Sequence, residues 1–194
     1  MPAKASQKIP QHLYIALLRA INVGGHAIIK MDNLRKLFEG LGFQNVQTFI
    51  QSGNVVFTAS ESDSIKLARV IENKLESVLG HQSKVFVLSP EELKEAAAHN
   101  PFEPERLDKE QHCQLLFLNA KPNAERHKAV MALQGKEYRF HLHGKVLFYA
   151  YSRKLAGKRR AVNFERVLDV AATGRTWKVI NKLLELAENR AGSG

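Results

Sequence analysis

Two short stretches gather the side chains suited to gripping an anion: Arg19, Asn22, Gly24, Gly25 and Lys30 in the first, Gln51, Ser52 and Asn54 in the second. A guanidinium such as Arg19 holds a carboxylate or phosphate through two parallel hydrogen bonds, and the Gly24-Gly25 backbone leaves room for an anion because no side chain intervenes. This is the chemistry of a small-anion site. Ordinary turn chemistry is the alternative, with Asn54 capping a hairpin, Gln51 satisfying backbone and Arg19 paired with an acid on the adjoining half. A guanidinium at the end of a buried strand is costly without partners, so Arg19 is expected either to face a ligand-accessible cleft or to be held by a protein carboxylate. His26 is the one histidine in the first stretch and reads as a surface imidazole, so no catalytic residue is assigned.

A second set of cations lies further on. Arg153, Lys154, Lys158, Arg159 and Arg160 form a basic run, with Arg166, Arg175 and Lys178 expected near it as phosphate contacts. The net charge of +10 is unevenly spread: residues 1–98 carry 11 Lys and Arg against 9 Asp and Glu, and residues 99–194 carry 18 against 10. A field of that sign steers polyanions inward without reading base sequence, so nonspecific nucleic-acid binding is the alternative function. A solvated basic loop is the plainer reading, and a protein-interaction module is a third.

Several other chemistries are disfavoured. Gly24-Gly25 lacks the third glycine and the parallel context of a dinucleotide fingerprint, and no phosphate-binding loop of the Walker type occurs. Cys113 follows His112 in an apolar strand, where neighbouring side chains point to opposite faces, so it reads as a structural thiol. His141 and His143 share a strand face but have no third ligand, and no metal or cofactor is expected. The single cysteine fits a reducing, cytoplasmic compartment. No apolar run is long enough to span a bilayer, and residues 1–10 have no apolar core for a signal peptide, so no membrane partner is expected.

The elements that must position these residues follow from periodicity. Residues 12–18 read as a buried strand, and Leu34, Leu37, Phe38 and Leu41 as the buried stripe of a helix that Gly42 ends. Residues 43–50 and 54–58 read as a hairpin joined at Gln51-Ser52-Gly53. A second helix carries its stripe on Ile65, Ala68, Ile71, Leu75 and Val78 before Gly80, and residues 84–88 form a fourth strand. That order, βαββαβ, is the ferredoxin-like arrangement with an antiparallel sheet. It brings the loop 19–30 and the hairpin 51–54 to one edge.

Ser89-Pro90-Glu91-Glu92 opens a linking helix with a capping box. A strand over 113–118, a helix over 124–133, a hairpin turning at His143-Gly144 and helices over 164–171 and 177–186 complete a second α+β unit of βαββα type. The expected organisation is a disordered tail over 1–10, a ferredoxin-like unit over 11–88, a linking helix and loop over 89–110, a second unit over 111–190 and a tail over 191–194. An RNA-recognition module shares the first unit's order, but its third strand would need aromatic side chains where Asn54, Val55 and Val56 stand, so Tyr14 is expected in the core.

The runs Leu18-Arg19-Ala20-Ile21-Asn22-Val23-Gly24-Gly25 and Thr48-Phe49-Ile50-Gln51-Ser52-Gly53-Asn54-Val55-Val56-Phe57 resemble the bacterial family called domain of unknown function 1697. The resemblance continues through Asn100-Pro101-Phe102, Tyr151-Ser152 and Thr173-Gly174-Arg175-Thr176-Trp177. It implies a cytosolic protein of two α+β subdomains and carries no activity. Two departures stand out: Ala20 where the family pattern has glycine, and a more basic segment after Ser152.

Overall fold

The computed structural model describes residues 10–22, 28–102, 111–136, 138–152 and 162–191. The first unit runs β1 (His12–Leu18), α1 (Met31–Gly40), β2 (Gln44–Phe49), β3 (Asn54–Ala59), α2 (Ser64–Leu79) and β4 (Val85–Leu88). Its strands pair antiparallel in the order β2-β3-β1-β4, which is the ferredoxin-like topology. The linking helix α3 (Pro90–Ala98) carries the expected capping box, Ser89 accepting from the Glu92 amide while Glu92 accepts from the Ser89 amide.

The second unit repeats the plan in full. It comprises β5 (Gln111–Leu118), α4 (Ala124–Met131), β6 (Tyr138–His143), β7 (Val146–Ser152), the short α5 (Phe164–Leu168) and β8 (Ala172–Thr176), in the order β6-β7-β5-β8. Periodicity alone ends this unit at a helix. The added strand, Ala-Thr-Gly-Arg-Thr, has no apolar alternation to announce it, yet it pairs with β5 from Gln114↔Thr176 to Leu118↔Ala172. The last helix, α6 (Trp177–Ala191), follows at once.

Three apolar clusters show how the layers stack. On one face of the first sheet, Tyr14, Ala16, Leu18, Val55 and Phe57 pack beneath Leu34 and Phe38 of α1 and Leu67, Ile71 and Leu75 of α2. The buried stripe of α2 is therefore rotated from the one expected, since Ile65 and Val78 point to solvent and Leu67 takes the inward place. The opposite face of this sheet, with Ile15, Leu17 and Val56, is also covered. It meets Leu93 of α3, Ile180 and Leu183 of α6, and Leu115, Phe117 and Phe148 of the second sheet. With both faces shut, no base can stack on the first sheet, and Tyr14 lies in the core. Beyond the second sheet, Val130 of α4 and Leu168 of α5 close the third cluster over Leu116, Leu147 and Phe140. Among the described residues, no helix is long and apolar enough to cross a membrane.

One side chain ties the two sheets together. Arg175 leaves β8, is only 6% exposed, and reaches the end of the first sheet. Its Nε donates to Asn54 Oδ1 at 2.5 Å, and one terminal nitrogen donates to the carbonyls of Leu18, Ser52 and Gly53 at 2.9, 3.1 and 3.1 Å. The other donates to Thr173 Oγ1 and the Gly174 carbonyl. Gly53 is needed at this junction: its φ is +73°, and a Cβ there would lie 2.8 Å from Leu18 Cβ.

Arg175→Met would leave several buried acceptors without a donor, a loss of about 3 kcal/mol. For a chain of this length that is a fall in Tm of roughly 6–12 °C. Arg175→Lys should recover little, because an ammonium lacks the planar fork. Thermal melts check both, and a fall under about 2 °C in the Met variant would contradict this role.

Candidate functional site

The first loop and the β2–β3 hairpin meet as their topology requires. Asn22 Nδ2 donates to the carbonyls of Ile29 and Gln51, both at 2.9 Å, and its Oδ1 accepts from the Ile29 amide at 2.8 Å. The Asn22 amide is thus the clasp of this edge. Asn54 is fully buried, with Nδ2 donating to the Phe49 carbonyl and Ser52 Oγ and Oδ1 held by Arg175. No ligand reaches it.

Arg19 meets the second of its two expected fates. Its terminal nitrogen lies 2.6 Å from Glu165 Oε2, the two side chains being 38% and 35% exposed. Glu165 stands in the first turn of α5, and its other oxygen accepts from the Ala172 amide at 2.8 Å, where β8 begins. A pair this open to water contributes at most about 1 kcal/mol, so it aligns the halves more than it stabilises them. Sequence offers no signal for this partner, 146 positions away.

What remains open is a smaller site. Lys30 and Gln51 are exposed, and with Asn22, Ile28, Ile29 and Met31 they line a depression of about 210 Å³. Helix α1 starts in this depression. Side chains cap α2, α3, α4 and α5, namely Asp63, Ser89, Asn123 and Asn163, but Lys30 at the N-cap of α1 gives no side-chain hydrogen bond. The first-turn amides of α1 therefore point their positive end at the depression beside a lysine, with Asp32 offsetting part of that field. Gly24 and Gly25 lie outside the described residues.

The second set of cations divides differently. Arg175, expected as a phosphate contact, is instead consumed inside the protein: all its nitrogens are bound to protein acceptors and burial pushes its pKa down to about 10. The signal that could have found this is a single arginine among small residues just before an amphipathic helix. Lys178 and Arg166 are exposed. Arg153, Lys154, Lys158, Arg159 and Arg160 lie outside the described residues. Cys113 is buried, its thiol pushed up to about 11 by desolvation against a smaller opposing effect of Asn100, and His112 turns away onto Tyr151. A thiol so shielded is structural.

Backbone strain concentrates at this edge. Ala20, Asn22 and Ile50 have φ of +53°, +57° and +47°, beside Gly53. Asparagine tolerates this region, but alanine and isoleucine are strained in it. Ala20 is exposed, so its methyl contributes no burial. Ala20→Gly should relieve about 1 kcal/mol of strain while losing part of that to unfolded-chain entropy. The expected net is a gain of about 0.5 kcal/mol, a Tm rise of about 1–2 °C by calorimetry. A fall in Tm would mean that the left-handed backbone carries no strain at this position.

The comparisons with known proteins agree with this architecture. No curated protein matches the chain. A solved structure described as conserved bacterial protein SP0830 from Streptococcus pneumoniae superposes with a TM-score of 0.70 at 24% identity, covering 92% of this chain and 99% of that one. That likeness is one of fold. An unknown protein from Galdieria sulphuraria aligns over 86% of this chain and 99% of its own at 11% identity, with a TM-score of 0.24. The family model described as protein of unknown function (DUF1697) matches residues 12–148, well over half of the sequence. The chain belongs to the DUF1697 family.

Proposed function

We propose that this is a cytosolic protein that binds a small phosphate- or carboxylate-bearing ligand at the edge of the first sheet, in the depression at the start of α1. The observation that carries the reading is Lys30 at an uncapped helix N-terminus. A cation at the positive end of a helix dipole is unfavourable by a few tenths of a kcal/mol up to about 1 kcal/mol unless an anion sits between them. The same lysine and the free amides become assets once an anion arrives. Gln51 adds an amide donor at the rim.

The test compares the parent protein with Lys30→Gln in thermal melts with inorganic phosphate, a nucleoside monophosphate or acetate. Without anion the variant should be equal to the parent or slightly more stable, because the repulsion with the helix is gone. With phosphate the parent should gain stability in a saturable way, and the variant should require about tenfold more ligand, equivalent to roughly 1.4 kcal/mol. Identical phosphate responses in the two proteins would remove the site.

A second reading, attachment to nucleic acid, is favoured by the far end of the second sheet. The sequence passes there directly from Ser152, at the end of β7, into the five cations of 153–160. A run of cations of that density suits sequence-independent contact with backbone phosphates. Replacing Lys158, Arg159 and Arg160 together by Gln should flatten the salt dependence of binding to duplex DNA, by about 0.9 logarithmic units for every phosphate the variant no longer neutralises. An unchanged slope would rule out that segment as the electrostatic attachment point.

A further inference from the structure

A second cavity, of about 300 Å³, lies between the two units and away from the α1 site. One wall is a face of α3, with Glu92, Glu95, Ala96 and His99 at helical spacing. The other is the β6–β7 turn with His143 and Lys145, and the floor is Phe86, Leu88, Phe117 and Val146. The imidazoles of His99 and His143 stack across the seam at 3.9 Å and 15°, tying the end of α3 to the turn.

Charge decides what this cleft fits. Glu92 is committed to the capping box at the start of its own helix. Glu95 and Lys145 face the cleft from opposite walls, and among the described residues neither side chain has an ion-pair partner. In the open cleft both are hydrated. Both side chains are exposed, so a ligand on the apolar floor would lie beside two open charges of opposite sign, each complemented by an opposite charge on the ligand. An amine alone would leave Lys145 unpaired, and a carboxylic acid alone would leave Glu95 unpaired. A zwitterion with an apolar side group satisfies both walls and the floor.

We propose that the cleft between α3 and the β6–β7 turn binds a free apolar amino acid, its ammonium on Glu95, its carboxylate on Lys145 and its side chain on Phe86 and Phe117. The site is independent of the anion site, so either can fail without the other.

The experiment is a titration of the full chain followed by amide chemical shifts, using L-phenylalanine, L-serine, N-acetyl-L-phenylalanine and L-phenylalanine amide. L-Phenylalanine should produce saturable shifts at Phe86, Ala96 and Val146, and serine should bind markedly less because it has nothing for the floor. Glu95→Gln and Lys145→Gln should each weaken binding about tenfold, as removal of one charge-assisted hydrogen bond does. Both residues are on the surface, so these variants should fold. The N-acetyl derivative, which has no ammonium, should bind weakly to the parent and be indifferent to Glu95→Gln. The amide, which has no carboxylate, should be indifferent to Lys145→Gln. No saturable shift at those amides, or equal binding by the blocked and free forms, would overturn the proposal.

Discussion

The interaction on which the rest of the structure depends is the capture of Arg175 by the end of the first sheet. Its guanidinium sits among backbone carbonyls, one side-chain amide oxygen and one hydroxyl, so neutral dipoles take the place of a counter-charge. Such a cage has strict geometry. It demands that the turn after β2 expose its carbonyls inward, which requires the left-handed Gly53, and that the end of β1 present the Leu18 carbonyl toward β8. The hairpin, the end of the first strand and the last strand are therefore solved together, although β8 lies more than a hundred residues beyond the other two.

That explains which parts of the fold are legible in the sequence. The first unit and the helix after it can be read because their signals are local: the stripe on α1 with Gly42 beyond it, the apolar run of β1, the capping box at Ser89. The meeting of loop and hairpin follows from topology alone. Hidden from such a reading is everything set by the partner half. β8 has no apolar alternation because its residues serve to pair with β5 and to launch Arg175 across the seam. Glu165 cannot be matched with Arg19 without three-dimensional knowledge of where α5 starts. The stripe of α2 differs in phase from its periodicity because Ile65 and Val78 are as apolar as Leu67, and only packing distinguishes them.

The polar cluster at the sheet edge proves to be two things in one place. Asn22, Ser52, Asn54 and Arg19 serve mainly as a joint, each holding backbone or a residue of the other half. Lys30 and Gln51 stand beside that joint with little structural duty. The left-handed backbone at Ala20 and Ile50 belongs to the same edge, so the conformational cost is concentrated where the two halves are clasped and the open depression begins. A ligand seated on Lys30 would rest one residue from Ile29, whose amide and carbonyl are both bound by Asn22. Occupancy and the integrity of the joint are physically adjacent.

Helix α6 lies on the inner face of the first sheet, yet it is encoded after every strand of both sheets. On a ribosome, β1 to β3 would be complete while roughly 120 residues still had to be added before α6 could cover Ile15, Leu17 and Val56, an interval on the order of ten seconds. During that interval the face would gain cover in steps, first from Leu93 of α3 and then from Leu115, Phe117 and Phe148 of the second sheet, and would stay partly open until α6 arrived. The core of the first unit is therefore completed last, and the apolar surface still open in the meantime is the one exposed to chaperone capture or premature aggregation.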